Sequence, residues 1–238
     1  MDWGPTGAEA VAADCDVAVV VDVLSFSTTL TVAADRKVQV IPFRVNDSAA
    51  TRFAEVRKAT LAVARSRAGA GEVSLSPRSV RDAPVPLDRL VLPSPNGSTI
   101  SVQLAGTGAT VLGVSLRNRR AAAAWLRSRP RPELRVAVIA AGERWPDASL
   151  RPAVEDLWGA GALLDALLED GWTGLSPEAA AAAASYRAVA GDLYGALRDC
   201  ASGRELISGG YPEDVLIAAE LDLSDAVPVL RDGVFEFS

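Results

Sequence analysis

VAVVVDVLSFSTTL, residues 17–30, decides how the chain is read. Five apolar residues, four of them valine, lead into Asp22, and a hydroxyl cluster follows at Ser25, Ser27, Thr28 and Thr29. A continuous apolar run of this kind marks a strand covered on both faces, the usual state of a strand in a parallel sheet. Small hydroxyl residues directly after it mark the start of a helix. The pattern recurs at VLPSPNGST, residues 91–99, where Val91 and Leu92 give way to two prolines and then to Asn96, Gly97, Ser98 and Thr99.

Working outward, strands are expected at 17–24, 38–43, 89–92, 110–114 and 135–141. Helices are expected at 47–68 (capped by Asn46 or Asp47), 98–105, 118–128 and 154–169. This alternation argues for a parallel sheet layered between helices. Beyond Gly171 the pattern turns helical: one long helix over 176–200, opened by Ser176-Pro177-Glu178, then helices at 203–208 and 212–221. VPVLRDGVFEF, residues 227–237, reads as a hairpin turning at Asp232-Gly233. The fold class expected is therefore α/β: a three-layer α/β/α arrangement with a mainly parallel sheet and a helical C-terminal section, one domain over residues 1–238.

Composition narrows the chemistry. With 238 residues and 49% apolar content, a sizeable core can form. The net charge of −6, without a Lys/Arg run, argues against a nucleic-acid partner. No apolar stretch approaches the roughly 18 residues of a membrane span, and the acidic N-terminus lacks the form of a signal peptide, so a cytoplasmic protein is expected. Cys15 and Cys200 form no CxxC pair. There is no histidine, which removes Ser-His-Asp triads, phosphohistidine chemistry and most catalytic zinc sites. The common phosphatase signatures also fail: there is no P-loop, Asp14-Cys15-Asp16 precedes its strand, and neither cysteine has an arginine six positions on. Carboxylates, hydroxyls, arginines and backbone amides remain.

Ligands of open α/β sheets bind beyond the carboxyl ends of strands. Asp22 to Thr29, Ser94 to Thr99 and Gly142 to Asp156 fall there. Helix N-termini favour phosphate or sulfonate, so Ser27, Thr28, Thr29, Asn96, Gly97, Ser98 and Thr99 are candidate anion-binding residues. The plainer alternative, that they are ordinary caps and a turn, stays open. The third segment supplies Glu143, Glu155 and Asp156, together with Arg144 as a candidate substrate contact. Carboxylates beside an anion loop suit a bridging Mg²⁺, with Asp22 as a further ligand or as the nucleophile. The alternative for Glu155 and Asp156 is charge stabilisation of a helix start. Asp22, Asn96 and Glu155 are expected to converge in one cleft, as residues at one edge of a parallel sheet.

These stretches resemble the 2-phosphosulfolactate phosphatases. VVVDVLSFSTTL is similar to that family's DVLRA(S/T)TT signature, SPNGST to its (T/S)xNGT loop, and AAGERWPDASLRPAVEDLWGAG (140–161) to its AGxxG…ED…AG segment. The tail from Gly203 through Asp214 to Val227-Pro228 also follows the family. The resemblance implies a layered α/β/α fold and Mg²⁺-dependent hydrolysis of 2-phosphosulfolactate, a step of coenzyme M synthesis. By motif Asp22, Asn96, Gly97, Glu155 and Asp156 fall on matching positions, and Ser27, Thr28, Thr29, Ser98 and Thr99 match in type. Asp22, Glu155 and Asp156 are the candidate catalytic residues. Those three with Glu143, which lies in a stretch that departs from the family, are the candidate metal ligands, with the division between metal binding and action on water left open. The substrate partner would be a small anionic phosphoester; a homo-oligomer is left open. Ser25 stands where the family has arginine, Ala140 where it has cysteine, and Arg78 is the candidate replacement charge. A non-catalytic anion binder, or a lyase or phosphotransferase on the same pocket, are the competing readings.

Overall fold

The computed structural model describes residues 1–44, 47–69, 71–84, 86–129 and 134–237. The strands are β1 (Asp2–Trp3), β2 (Val17–Val21), β3 (Gln39–Phe43), β4 (Thr60–Leu61), β5 (Arg89–Pro93), β6 (Thr110–Val114), β7 (Val136–Ala140), β8 (Glu143–Arg144), β9 (Leu150–Arg151), β10 (Pro228–Arg231) and β11 (Val234–Phe237). Among the described residues nine of them form one sheet in the order β1-β7-β2-β6-β10-β11-β3-β5-β4, and β8 pairs with β9 as a separate ribbon. The β1–β7–β2–β6 neighbours are parallel, as are β3–β5–β4.

All five residues of β2 are buried, as their unbroken apolar run requires. Val17, Val19 and Val21 pack on one face with Leu163 and Leu167 of the Val154–Glu169 helix and Leu126 of the Arg119–Arg127 helix. Ala18 and Val20 pack on the other with Phe26 and Leu30 of the Phe26–Asp35 helix and Ile100 and Leu104 of the Gly97–Leu104 helix. Helices therefore cover both faces and the three-layer α/β/α reading holds. Fully burying each such side chain contributes about 1.5–3 kcal/mol. The alanine run has its own purpose: Ala179, Ala182 and Ala183 of the Pro177–Val189 helix are buried, and a Cβ on Gly161 would lie 2.1 Å from the Ala182 carbonyl oxygen. Only small residues let these two helices approach so closely. Among the described residues no helix is long and apolar enough to cross a membrane.

Several expectations change. The helix read at 47–68 ends at Arg57, since Lys58 turns the backbone to φ 49° and Thr60–Leu61 pairs with β5. A short 3-10 turn, Arg65–Arg67, follows. The caps expected at Asn46 and Asp47 lie outside the described residues and side chains. The helix read at 176–200 breaks at Ala190–Asp192, where the Asp192 carboxylate accepts from Gly195 N (2.9 Å) and starts a new helix, Leu193–Asp199. The C-terminal hairpin forms, with Asp232 and Gly233 both left-handed (φ 49° and 77°), as a tight hairpin turn demands.

That hairpin lies inside the sheet rather than at its edge. β10 is antiparallel to β6, β11 to β10, and β3 to β11, so β3, β5 and β4 run opposite to β2, β6, β7 and β1. The carboxyl ends of β2 and β5 therefore do not share one edge of a uniform parallel sheet. They meet because the Gly97–Leu104 helix packs against both β2 and β3 and carries its N-terminus to Asp22.

Candidate active site

Asp22 leaves the end of β2 and is buried. Its Oδ1 accepts from Phe26 N at 3.0 Å, the start of one helix, and its Oδ2 accepts from Gly97 N at 2.9 Å, the start of another. The two helix N-termini flanked by hydroxyl clusters thus converge on an anion that the chain itself supplies. Those two amides, expected to meet an outside phosphate, are occupied by Asp22. Gly97 is the residue that permits this, because a Cβ there would lie 2.2 Å from Phe26 Cδ1 and 2.8 Å from Asp22 Oδ2. Burial pushes the Asp22 carboxyl up to about 7, with Glu143 and Glu155 adding repulsion against the two amides.

Asp156 does the same for a second pair of loops. It lies in the first turn of the Val154–Glu169 helix, where its Oδ1 accepts from Val23 N at 2.7 Å and its Oδ2 from Gly142 N at 2.8 Å. Burial, then the charges of Asp22 and Glu155, hold its carboxyl well above the usual range. Glu155 beside it is also buried. Glu143, on β8, accepts from Asn96 Nδ2 at 2.9 Å, and burial raises its carboxyl against the pull of Asn96 and Arg151. Asp22, Asn96, Gly97, Glu143, Glu155 and Asp156 accordingly form one connected acidic cleft, drawn from the loops after β2, β5 and β7.

The hydroxyl residues serve the loops themselves. Ser27 Oγ donates to Asp22 O (2.8 Å), Thr28 Oγ1 to Val23 O (2.7 Å), Thr29 Oγ1 to Leu75 O (3.2 Å), Ser98 Oγ to Leu92 O (2.6 Å) and Thr99 Oγ1 to Ser94 O (3.1 Å). All but Thr29 tie a helix start to the strand or loop before it, and Thr29 ties its helix to the distant loop at Leu75. Arg144 is exposed at the rim and donates to the carbonyls of Ala148 (3.3 Å) and Pro95 (3.2 Å).

Arg78 does not replace the charge absent at Ser25; it is exposed and pairs with Asp82 and Glu213. Arg65 does. Its Nη2 donates to Ser25 Oγ and to Leu75 O (3.1 Å), and its Nε donates to Asp214 Oδ2 at 3.1 Å. Asp214 is buried and also accepts from Ser76 Oγ (2.5 Å) and Arg78 N (3.2 Å). The sequence reading missed Arg65 because it lies in the stretch taken as helix, and nothing local links it to Ser25 or Asp214.

The donor set is oxygen only, the type a hard cation takes. Among the described residues no three acidic side chains are disposed as a ready-made cage. An ion here would hold one or two protein oxygens and keep waters, which is the habit of Mg²⁺.

An acidic cleft of buried carboxylates at loop–helix junctions of an α/β sheet, without histidine or a nucleophilic cysteine, defines a protein suited to phosphoester chemistry through oxygen groups. The sequence profile of the 2-phosphosulpholactate phosphatase family matches residues 6–233. A probable 2-phosphosulfolactate phosphatase of Prochlorococcus marinus (strain MIT 9303) is 30% identical over 240 residues, covering 97% of this chain and 93% of that protein. The chain belongs to the 2-phosphosulfolactate phosphatase family, a family of phosphoric monoester hydrolases.

Proposed function

We propose that the protein is a cytoplasmic enzyme that hydrolyses 2-phosphosulfolactate to sulfolactate and phosphate with Mg²⁺ in the acidic cleft. The observation that carries the reading is the crowding of Asp22, Glu143, Glu155 and Asp156 around three helix starts, on a chain of this family. The repulsion among these groups is what a divalent cation would relieve. Glu143 and Glu155 would hold the ion with Asp22 at their side; when bound it neutralises charge on the phosphoryl oxygens. Asp22, held between the amides of Phe26 and Gly97 at the end of β2, is the carboxylate placed for proton transfer. It takes a proton from the attacking water as the new P–O bond forms, and returns one to the leaving oxygen as the ester P–O bond breaks. Asn96 orients the phosphoryl group, while Arg144 at the rim holds the Ala148 and Pro95 carbonyls. Ser27, Thr28, Thr29, Ser98 and Thr99 act through the loops they tie, and Asp156 through the amides of Val23 and Gly142.

One observation favours a second reading, a non-catalytic anion binder: both aspartates already satisfy two main-chain amides each. Phosphate release from 2-phosphosulfolactate, measured after dialysis against EDTA and again with Mg²⁺ restored, separates the two. Release that returns with Mg²⁺ is expected. No release under either condition, with sulfolactate still bound, supports the binder.

A further inference from the structure

We infer that Arg65 is the specificity-determining residue of the cleft, holding a second acidic group, carboxylate or sulfonate, of a phosphoester whose phosphate lies at Asp22. The inference rests on the phosphatase reading for the position of the phosphate. A groove of about 810 Å³ opens beside the acidic cleft, lined by Arg65, Tyr211, Leu61, Leu75 and Pro95 among others. It touches the cleft from two sides. Pro95 precedes Asn96, whose amide is on Glu143, and the Ser25 that Arg65 contacts precedes Phe26, whose N–H is on Asp22.

Three features fit Arg65 to this task. Its guanidinium is anchored from behind by the buried Asp214 carboxylate and by Leu75 O, which keeps it from collapsing onto the cleft's own acids. Among the described residues no group accepts from its Nη1, so two N–H donors remain for a ligand. Its side chain is 18% exposed and lies over the Tyr211 ring at 5.8 Å, in a groove whose other walls include Leu61, Val63 and Pro93, where a charge-assisted bond is stronger than in water. The other arginines near the cleft are placed differently: Arg151 forks onto Glu205 at 2.8 and 2.9 Å, and Arg144 spends its donors on main-chain carbonyls.

The test uses the full chain as Arg65→Gln, with Arg65→Lys as the conservative variant. Phosphate release is followed on 2-phosphosulfolactate and on phenyl phosphate, which lacks a second acidic group, and sulfolactate binding is measured by calorimetry. Arg65→Gln should raise KM for 2-phosphosulfolactate about tenfold or more with kcat little changed, and weaken sulfolactate binding in proportion. The kcat/KM for phenyl phosphate should stay within about twofold of the parent. Arg65→Lys, which keeps the charge and loses the fork, should fall between; it decides the matter if Arg65→Gln does not fold. Equal losses on both substrates, or sulfolactate binding as tight as the parent's, overturn the assignment. A parent that releases phosphate from neither substrate sinks the phosphatase reading. Arg65-dependent binding of sulfolactate then still upholds the anchor, and its absence from the parent overturns it.

Discussion

Replacing Gly97 with alanine is expected to unseat Asp22. The new methyl would sit 2.2 Å from Phe26 Cδ1, 2.6 Å from Phe26 Cγ and 2.8 Å from Asp22 Oδ2, all inside contact distance. Phe26 has nowhere to go: it is fully buried and packs edge-on against Phe235 with ring centroids 6.1 Å apart. The helix start must move instead, and the Gly97 N–H leaves the carboxylate it now meets at 2.9 Å. Overpacking costs about 1–3 kcal/mol. Loss of a hydrogen bond to a charged group adds about 1.5–3 kcal/mol. For a domain of this size the melting temperature should fall by roughly 5–20 °C, and phosphate release should fall with it because Asp22 is no longer held. Calorimetry and a phosphate-release assay read both. Gly191→Ala is the control: its Cβ would meet nothing within 4 Å, so stability should hold or rise by up to about 1 kcal/mol. A Gly97→Ala protein that melts like the parent and retains its turnover would refute the reasoning.

The Asp22 carboxyl titrates at about 7 in the fold against an ordinary 3.8, so its stabilising contribution is complete below pH 3.8 and is lost as the pH rises through about 7. Thermal melts from about pH 4 to about pH 8 should therefore show a decline that is shallower in Asp22→Asn than in the parent; equal slopes would count against it. Asp156→Asn should lose phosphate release and also melt earlier, by the equivalent of about 1–3 kcal/mol, because the amide group must face either Val23 N or Gly142 N with a donor. Glu155→Gln should lose release with a smaller change in melting, and parent-like turnover in both variants would make these acids scaffolding. Arg78→Ala, which breaks only exposed pairs with Asp82 and Glu213, should change stability by less than about 1 kcal/mol and leave turnover alone.

Much of the layering was legible in the chain itself. A buried strand has to read as an unbroken apolar run, and Val17–Val21 does. The helix over Val154–Glu169 begins and ends where its apolar spacing and leading acids place it. Asp232-Gly233 specifies a tight turn because its two positions need left-handed backbone. The cleft's acids were also named from sequence, since Asp22, Glu155 and Asp156 stand at strand and helix ends where local pattern suffices. Other features depended on contacts far apart in the chain. Helical spacing over 47–68 could not show that Thr60 and Leu61 pair with β5, a strand nearly thirty residues away in sequence. Nor could it show that the C-terminal hairpin enters the middle of the sheet and reverses the direction of β3 and β5. The hydroxyl clusters were visible; the partner of the helix starts beside them was not, because an amide at Gly97 and a carboxylate at Asp22 are joined only by folding. The same holds for Arg65, whose meaning comes from Ser25, 40 residues before it, and Asp214, 149 residues after it. Local pattern sets what each segment becomes, while the pairing of charges across loops is settled by which burial the whole chain can satisfy at once.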